Sequence, residues 1–161
     1  MLEPQVADHA EEMFRVLGDP ALYEHENEPP CSVEWLRERF AKLETRCGPD
    51  GQQLWLNWVV RLRGRGLIGY VQATVFPTGR AAIAYVLSSQ YWRRGLAAEA
   101  CQATIAELAK HYGVVTVYAI FKRRNVRSAR LLERLGFSPA ASGADVEPDE
   151  MLMLRALNGP E

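Results

Sequence analysis

The feature that most constrains the fold is a change of hydrophobic period between residues 81 and 121. Residues 81–87 form an apolar run of strand length. Helical spacing then begins, and the apolar face of a helix predicted over residues 95–111 contains Leu96, Ala97, Ala100, Cys101, Thr104, Ile105, Leu108 and Tyr112. Gly113 follows where a C-cap glycine belongs, and residues 114–121 form a second strand of the kind buried on both faces. A strand, a helix and a strand at this spacing form a crossover unit, which predicts two parallel neighbouring strands.

Short turns join the strands that precede this unit. Residues 54–60 and 67–76 are rich in aromatic and β-branched residues, and the connections at 64–66 and 77–80 contain glycine. Consecutive strands joined in this way are antiparallel by the simplest topology. The sheet is therefore predicted to be mixed and mostly antiparallel.

Helices are predicted on either side of these strands. Asp8 is the expected cap of a first helix that stops at residues 18–20, and Ser32 opens a second helix that runs to about Arg46. The remaining predicted elements are a helix over residues 128–135, a short strand from Phe137 and a last strand over residues 151–157. The expected class is α+β, with helices flanking the sheet.

Composition limits the other possibilities. The chain has 161 residues, 48% of them apolar and 24% charged, which indicates a single folded domain over residues 1–161. With 19 basic and 20 acidic residues, nothing global indicates a nucleic acid or membrane partner. The 3 cysteines follow neither zinc nor redox spacing, so we expect reduced thiols and no metal. No leader or long apolar run is evident, so a cytoplasmic location is expected.

The turn at residues 90–98 separates the first parallel strand from the helix. Arg93, Arg94 and the small residues Gly95 and Ala97 lie at a helix N-terminus, where backbone N–H groups are free and the dipole is positive. Such a turn favours an anion such as a pyrophosphate. Taken alone, the glycine could equally shape a tight turn beside solvated arginines.

A second motif follows the second parallel strand. It begins at Asn125, continues with Ser128 and ends in Leu-Gly-Phe at residues 135–137. Together with the turn, it resembles the GCN5-related N-acetyltransferase (GNAT) superfamily, whose acetyl-CoA turn reads Gln/Arg-x-x-Gly-x-Gly/Ala and whose later helix reads Asn-x-x-Ser/Ala. Two motifs in the right order are much more specific than one. The resemblance implies a GNAT-like sheet in which the parallel strand pair splays apart at the acetyl-CoA site.

The closer resemblance is to the RimJ/RimL-like branch of this superfamily. Trp92 opens the turn and Ala-x-Glu-Ala follows at residues 97–100, while residues 2–4 and 18–23 are also similar to that branch. The resemblance therefore covers nearly the whole chain. Because the superfamily usually begins with a strand just before Leu2, either the first strand is very short or the start is internal.

The resemblance implies cofactor contacts at three places. The strand end at Tyr85, Val86 and Leu87 would pair with the amides of the pantetheine arm, and Asn125 and Ser128 would lie near the arm and thioester. The residues implied at the pyrophosphate are Arg93, Arg94, Gly95, Leu96, Ala97 and Ala98. Asn125 could equally serve only as a helix cap.

The implied reaction is direct attack of a primary amine on the acetyl thioester. It requires a base for the ammonium, donors for the oxyanion, here a backbone N–H near Leu87, and an acid for the thiolate. The family often places a tyrosine acid where this chain has Leu132, so Ser128 is the expected acid, although its hydroxyl could instead bond locally to the backbone. Tyr85 could hold a water or simply pack in the core. The base is open, either a water chain or an acid of the loop after residue 23.

The acceptor site implied by the family lies between the first two helices and the sheet. The predicted contacts are Glu24, Glu26, Glu28 and Trp58, and the three glutamates would attract a cationic amine or simply form a solvated loop. The acceptor is expected to be a protein N-terminal α-amine, an aminoglycoside or a polyamine, and the protein a monomer or homodimer. The alternative is a domain that binds acyl-CoA without turnover, as a sensor or interaction module.

Overall fold

A mixed β-sheet carries the fold in the computed structural model, which describes residues 1–141 and 143–157. Within these ranges the strands are β1 Leu2–Pro4, β2 Leu54–Leu62, β3 Gly66–Val75, β4 Arg80–Leu87, β5 Thr116–Lys122, β6 Ser138–Pro139 and β7 Glu150–Ala156. They lie in the order β1-β2-β3-β4-β5-β7-β6, with β4 and β5 parallel and the other pairs antiparallel. The predicted α+β class is confirmed, and β1 is a short strand that pairs with β2.

Helices cover both faces of this sheet. They are α1 Ala10–Val16, α2 Val33–Leu43, α3 Leu96–His111 and α4 Val126–Arg134. The predicted Ser32 cap is confirmed, since its Oγ accepts from the Trp35 N–H at 3.0 Å. The Asp8 cap is wrong, because Asp8 lies inside a short 3₁₀ turn, Ala7–His9, and His9 Nδ1 accepts the Val6 N–H there at 3.1 Å.

Two apolar clusters hold the helices against opposite faces. One joins α3 and α4 to alternate residues of the central strands, including Leu56, Ile83 and Val117. The other joins α1 and α2 to Val59 and Leu67. The sheet is therefore sandwiched over β2, β3 and β4.

Strand β5 departs from the prediction that it is buried on both faces. Val117, Ala119 and Phe121 are buried, whereas Tyr118 is half-buried and Ile120 is 37% exposed. The reason is that the cluster under α1 and α2 draws only on strands up to β4. One face of β5 is thus left open beside β4.

The parallel pair separates soon after it forms. The pairing of β4 with β5 covers Arg80–Thr116, Ala81–Val117 and Ala82–Tyr118, yet β4 continues to Leu87 and β5 to Lys122. Past the last pair, the facing edges of both strands carry backbone N–H and C=O groups that do not bond to each other. The predicted splayed strand pair is confirmed.

Asp19 ties the loop after α1 to the far end of β4. Its Oδ1 accepts from the Ala21 N–H at 3.0 Å, which starts the 3₁₀ turn Pro20–Tyr23. Its Oδ2 accepts from the Ser89 N–H at 2.9 Å and from the Ser89 hydroxyl at 2.5 Å. The Ser89 hydroxyl, followed by the two backbone donors, holds the pKa of this carboxyl below its usual value of 3.8. This contact fixes the loop over the open end of β4.

We predict that Asp19→Asn destabilises the fold, while the matched change Asp8→Asn, at an exposed carboxyl, does not. Loss of charge-assisted bonds worth roughly 1 kcal/mol lowers Tm by about 2–4 °C for a chain of this size. A carboxyl whose pKa is lowered by folding stabilises the folded state at pH values above its unfolded pKa. This contribution to the free energy of unfolding is lost as the pH falls through the folded pKa. Thermal unfolding of both variants should show the largest gap at neutral pH, narrowing below pH 3.8. Equal Tm values at pH 7 contradict the assignment.

Candidate functional site

The gap between the separated strands is a cleft of about 170 Å³. Its walls come from the diverging ends of β4 and β5, the first turn of α4, Trp92 and Ala97 at the start of α3, and the loop at residues 21–27. Five separate parts of the chain thus converge on one opening. The predicted cofactor residues whose side chains or backbone line it are Tyr85, Val86, Leu87, Ala97, Asn125 and Ser128.

The turn before α3 has the backbone geometry of an anion site. Arg93 and Gly95 both have positive φ, 64° and 76°, and Gly95 is the N-cap of α3. Glycine adopts this left-handed conformation at a helix cap without strain. The N–H groups of the first helical turn have no partners within the helix. A Cβ placed on Gly95 meets nothing within 4 Å, so the space in front of the helix is open.

Trp92 locks this turn to the end of β4. Its Nε1 donates to the Leu87 carbonyl at 2.9 Å, and the Arg127 guanidinium lies 3.3 Å from the centre of its ring. The stacking places a cation from α4 beside the turn. The helix N-terminus, the strand end and α4 are therefore held as one unit.

The other residues predicted at the turn divide into two groups. Arg93, Arg94 and Gly95 are exposed, as an anion site requires. The side chain of Ala98 instead packs against the cluster under α3 and α4, and that of Leu96 packs against a further small cluster that includes Ile68 and Leu87. Arg127 is a cation of this region that the sequence did not single out.

Tyr85 and Ser128 come together inside the cleft. The Tyr85 hydroxyl is buried and makes no hydrogen bond to any of the described residues. Burial raises the pKa of Tyr85 far above its usual range, and the neighbouring Ser128 hydroxyl offsets only part of that rise. The phenol therefore stays protonated at neutral pH and is available as a donor.

Asn125 and Leu132 complete the α4 side of the cleft. Asn125 Oδ1 accepts the Ser128 N–H at 3.2 Å, so its role as the helix cap is confirmed. Leu132 is fully buried and lines the cleft without a polar group. The only hydroxyls that the described residues bring to this wall are those of Tyr85 and Ser128.

A second cavity, of about 320 Å³, lies between α2 and the sheet. It adjoins the cleft, since Leu22, Asn27 and Val86 line both. Its floor contains Tyr70, whose pKa burial raises to about 12, together with polar amides from the strands. This is the region between the first helices and the sheet where the acceptor was expected.

The four predicted acceptor residues are placed differently from one another. Glu26 lines the cleft and Glu28 the second cavity, while Glu24 is exposed and lines neither. Trp58 lies on the opposite face of the sheet, where it packs against the cluster under α3 and α4. Strand alternation explains this, because Trp58 shares a face with Leu56 and is out of phase with Asn57, which does line the cavity. The structure therefore does not bring Trp58 to the acceptor region.

The second cavity continues outward along α2. Trp35, Arg39 and Leu43 line both it and a further groove that reaches Lys42 and Trp55. The Arg39 guanidinium lies 6.0 Å from the centre of the Trp35 ring. A continuous path thus leads from the splayed strands to the surface along α2.

His25 is a site residue that the sequence reading missed. It lines the cleft, and its Nδ1 is buried without a hydrogen-bond partner among the described residues. Arg124 fixes this part of the loop by donating from Nη2 to the His25 carbonyl at 2.9 Å. The only sequence signal was a histidine among glutamates, and an aperiodic loop does not reveal where its side chains point.

Among the residues that the structure describes, no group of three or more His, Cys, Asp or Glu side chains is arranged to hold a metal ion. No helix in the described part of the chain has the length and apolar content needed to cross a membrane.

Known structures share this architecture. The chain is similar to RimL, a ribosomal L7/L12 alpha-N-protein acetyltransferase, in complex with coenzyme A (TM-score 0.83, 14% identity, covering 97% of this chain and 93% of that one). It is also similar to the aminoglycoside acetyltransferase AAC(6')-Ib in complex with coenzyme A (TM-score 0.79, 17% identity, covering 97% of this chain and 94% of that one). A third similar structure is the ribosomal-protein-S5-alanine acetyltransferase from Vibrio fischeri (TM-score 0.76, 20% identity, covering 96% of this chain and 91% of that one). No curated protein matches the sequence significantly.

A match to a protein-family model shows which family the chain belongs to. The model of the acetyltransferase (GNAT) domain matches residues 1–138, which is well over half of the chain. The predicted resemblance to the GNAT superfamily is thereby confirmed, and the similar structures share its fold. The chain belongs to the GNAT acetyltransferase family.

Proposed function

We propose that the protein transfers the acetyl group of acetyl-CoA to the N-terminal α-amine of a peptide or protein by direct attack. The observation that carries the proposal is that the second cavity borders the cleft between β4 and β5 at Val86 and borders the groove along α2 at Trp35 and Arg39. A donor and an extended acceptor can approach this point from opposite sides. Holding two reactants at one point supplies much of the rate enhancement of such a transfer.

The donor is assigned to the cleft and the turn before α3. The diphosphate would lie at the free N–H groups behind Gly95, with Arg93, Arg94 and the stacked Arg127 adding positive charge. The pantetheine amides would pair with the unpaired edge of β4 beyond Ala82, as an added strand does.

Tyr85 and Ser128 are the proposed donors to the departing thiolate. The amine nitrogen attacks the thioester carbonyl, the tetrahedral oxyanion collapses, and the carbon–sulfur bond breaks to give a thiolate that takes a proton. The Tyr85 phenol is protonated at neutral pH, so its hydroxyl can donate to the sulfur as the thiolate forms. An unpaired N–H near Leu87 would donate to the oxyanion.

The charges along the acceptor path favour a peptide over a polycation. The second cavity contributes one carboxylate, Glu28, against the guanidinium of Arg39, and the outer groove contributes Glu38 against Lys42. An aminoglycoside or polyamine carries several positive charges and needs a surplus of carboxylates. Fold similarity does not discriminate, because one similar structure, AAC(6')-Ib, is in complex with ribostamycin.

A domain that binds acyl-CoA without turnover is the alternative that the open cleft also permits. Release of free thiol from acetyl-CoA in the presence of an amine distinguishes the two functions. Tight binding of acetyl-CoA without amine-dependent release, across peptides and polyamines alike, supports the sensor.

We predict that Gly95→Glu weakens acetyl-CoA binding at least tenfold, because it places a carboxylate at the N-terminus of α3 and strains a left-handed residue. Gly64→Glu is the matched control, since Gly64 has the same φ of 76°, has equally open space and lies in the β2–β3 hairpin. Titration calorimetry measures both affinities. Equal losses in the two variants contradict the assignment of the turn.

We predict that Tyr85→Phe and Ser128→Ala each lower kcat, by roughly 10- to 100-fold for the principal acid, with little change in the KM for acetyl-CoA. Tyr118→Phe is the control, because Tyr118 stacks on Phe76 outside the cleft. Steady-state kinetics of the three variants identify the stronger donor. Unchanged kcat in both cleft variants removes these residues from the reaction.

We predict that wild-type protein acetylates peptides with a free α-amine in preference to spermidine or an aminoglycoside. Arg39→Glu should lower kcat/KM about two- to fivefold for a peptide with an acidic residue near its N-terminus, because an exposed ion pair is worth about 0.2–1 kcal/mol. The change should lie in KM. The kcat/KM for a neutral peptide should be unaffected. N-formylated peptide is the negative control. Higher kcat/KM for the polycations refutes the acceptor assignment.

A further inference from the structure

We infer that His25 Nδ1 is the base that removes the proton from the acceptor ammonium. This inference rests on the proposed function and supplies the group that the sequence left unassigned. Neither the sequence motifs nor the family match points to His25, which lies in the loop between α1 and α2. The evidence for His25 as the base is its position in the cleft, its ring nitrogen without a hydrogen-bond partner and the charged residues around it.

The first observation is an unsatisfied nitrogen on a side chain that lines the cleft. His25 Nδ1 is buried and makes no hydrogen bond to the described residues, although buried polar atoms in folded proteins nearly always have a partner. The side chain lines the cleft together with Ala84 and Val86 of β4 and Ile120 of β5. An ammonium entering at Val86 would be the missing donor.

The second observation is that the other ring nitrogen faces a carboxylate. His25 Nε2 lies 3.9 Å from Glu24 Oε2, which favours the tautomer with the proton on Nε2 and the lone pair on Nδ1. After proton transfer, the same carboxylate stabilises the imidazolium. This assigns Glu24 a positioning role, which explains how it can matter while lining neither cavity.

The charges around the ring are mixed. Glu24 and Glu26 come from the same loop, Arg124 holds the loop through the His25 carbonyl, and Arg127 lines the cleft from α4. The two arginines disfavour the imidazolium and the two glutamates favour it.

The proton balance of the step is complete. The ammonium N–H bond breaks, its proton moves to His25 Nδ1, and the freed lone pair forms the N–C bond to the acetyl carbon. The carbon–sulfur bond then breaks and the thiolate takes the proton of the acid on the α4 side. The attacking nitrogen's second proton leaves as the amide forms and, by way of solvent, replaces the proton that the acid gave to the thiolate, and the imidazolium returns its proton to solvent before the next turnover.

The test compares His25→Gln with His111→Gln. His111 is a matched control, because its Nε2 lies 3.8 Å from Glu107 on the exposed side of α3, away from the cleft. With a peptide acceptor at pH 7, His25→Gln should lose about 100-fold in kcat/KM and His111→Gln nothing. Affinity for acetyl-CoA should be equal in all three proteins.

The pH dependence of the activity distinguishes a catalytic base from a residue with only a structural role. An α-amine has a pKa of about 8, so at higher pH the free amine needs no base and the deficit of His25→Gln should shrink. A deficit that is the same at every pH, or no deficit at all, overturns the inference. Wild-type protein that releases no thiol with any amine overturns the proposed function instead, and this inference with it.

A measurement on wild-type protein avoids any effect of the substitution on folding. Nitrogen-15 NMR of the histidine rings, assigned with His25→Gln or by selective labelling, should show His25 protonated on Nε2 alone when neutral. A proton on Nδ1 in the neutral ring overturns the inference.

Discussion

The separation of β4 from β5 is the constraint on which the rest of the structure depends. The strands pair over three residues and then diverge, which leaves two unpaired edges facing each other. An open edge inside a sheet is unfavourable unless something bonds to it. In this protein the divergence forms the cleft, and an extended ligand with amide groups is the natural partner for the β4 edge.

The end of β4 is held from two directions so that the gap stays open. Asp19 joins the loop after α1 to Ser89, and Trp92 joins the turn before α3 to the Leu87 carbonyl. Close packing reinforces both ties, since a Cβ on Gly69 of β3 would clash with the Val86 carbonyl oxygen. The loop at residues 21–27 and the turn before α3 are thereby positioned against one strand, and therefore against each other.

Strand alternation along β4 then separates the two halves of the proposed chemistry. Val86 packs with the cluster under α1 and α2, whereas Tyr85 packs toward α3 and α4. The loop that carries His25 packs on the Val86 side through Leu22, whereas the proposed acid Tyr85 packs on the other face. In the proposed reaction a proton would be accepted on one side of the strand and donated on the other.

The sequence by itself determined the order and type of nearly every element, because apolar period, glycine placement and caps such as Ser32 and Asn125 are local signals. It also determined the family, since two motifs separated by a strand are specific together. Only the tertiary structure decided which side chains meet. Trp58 faces away because of strand phase, β5 is open on one face because α1 and α2 stop short of it, and His25 reaches the cleft from a loop without periodicity. Those outcomes depend on contacts between residues far apart in the chain, which no local pattern encodes.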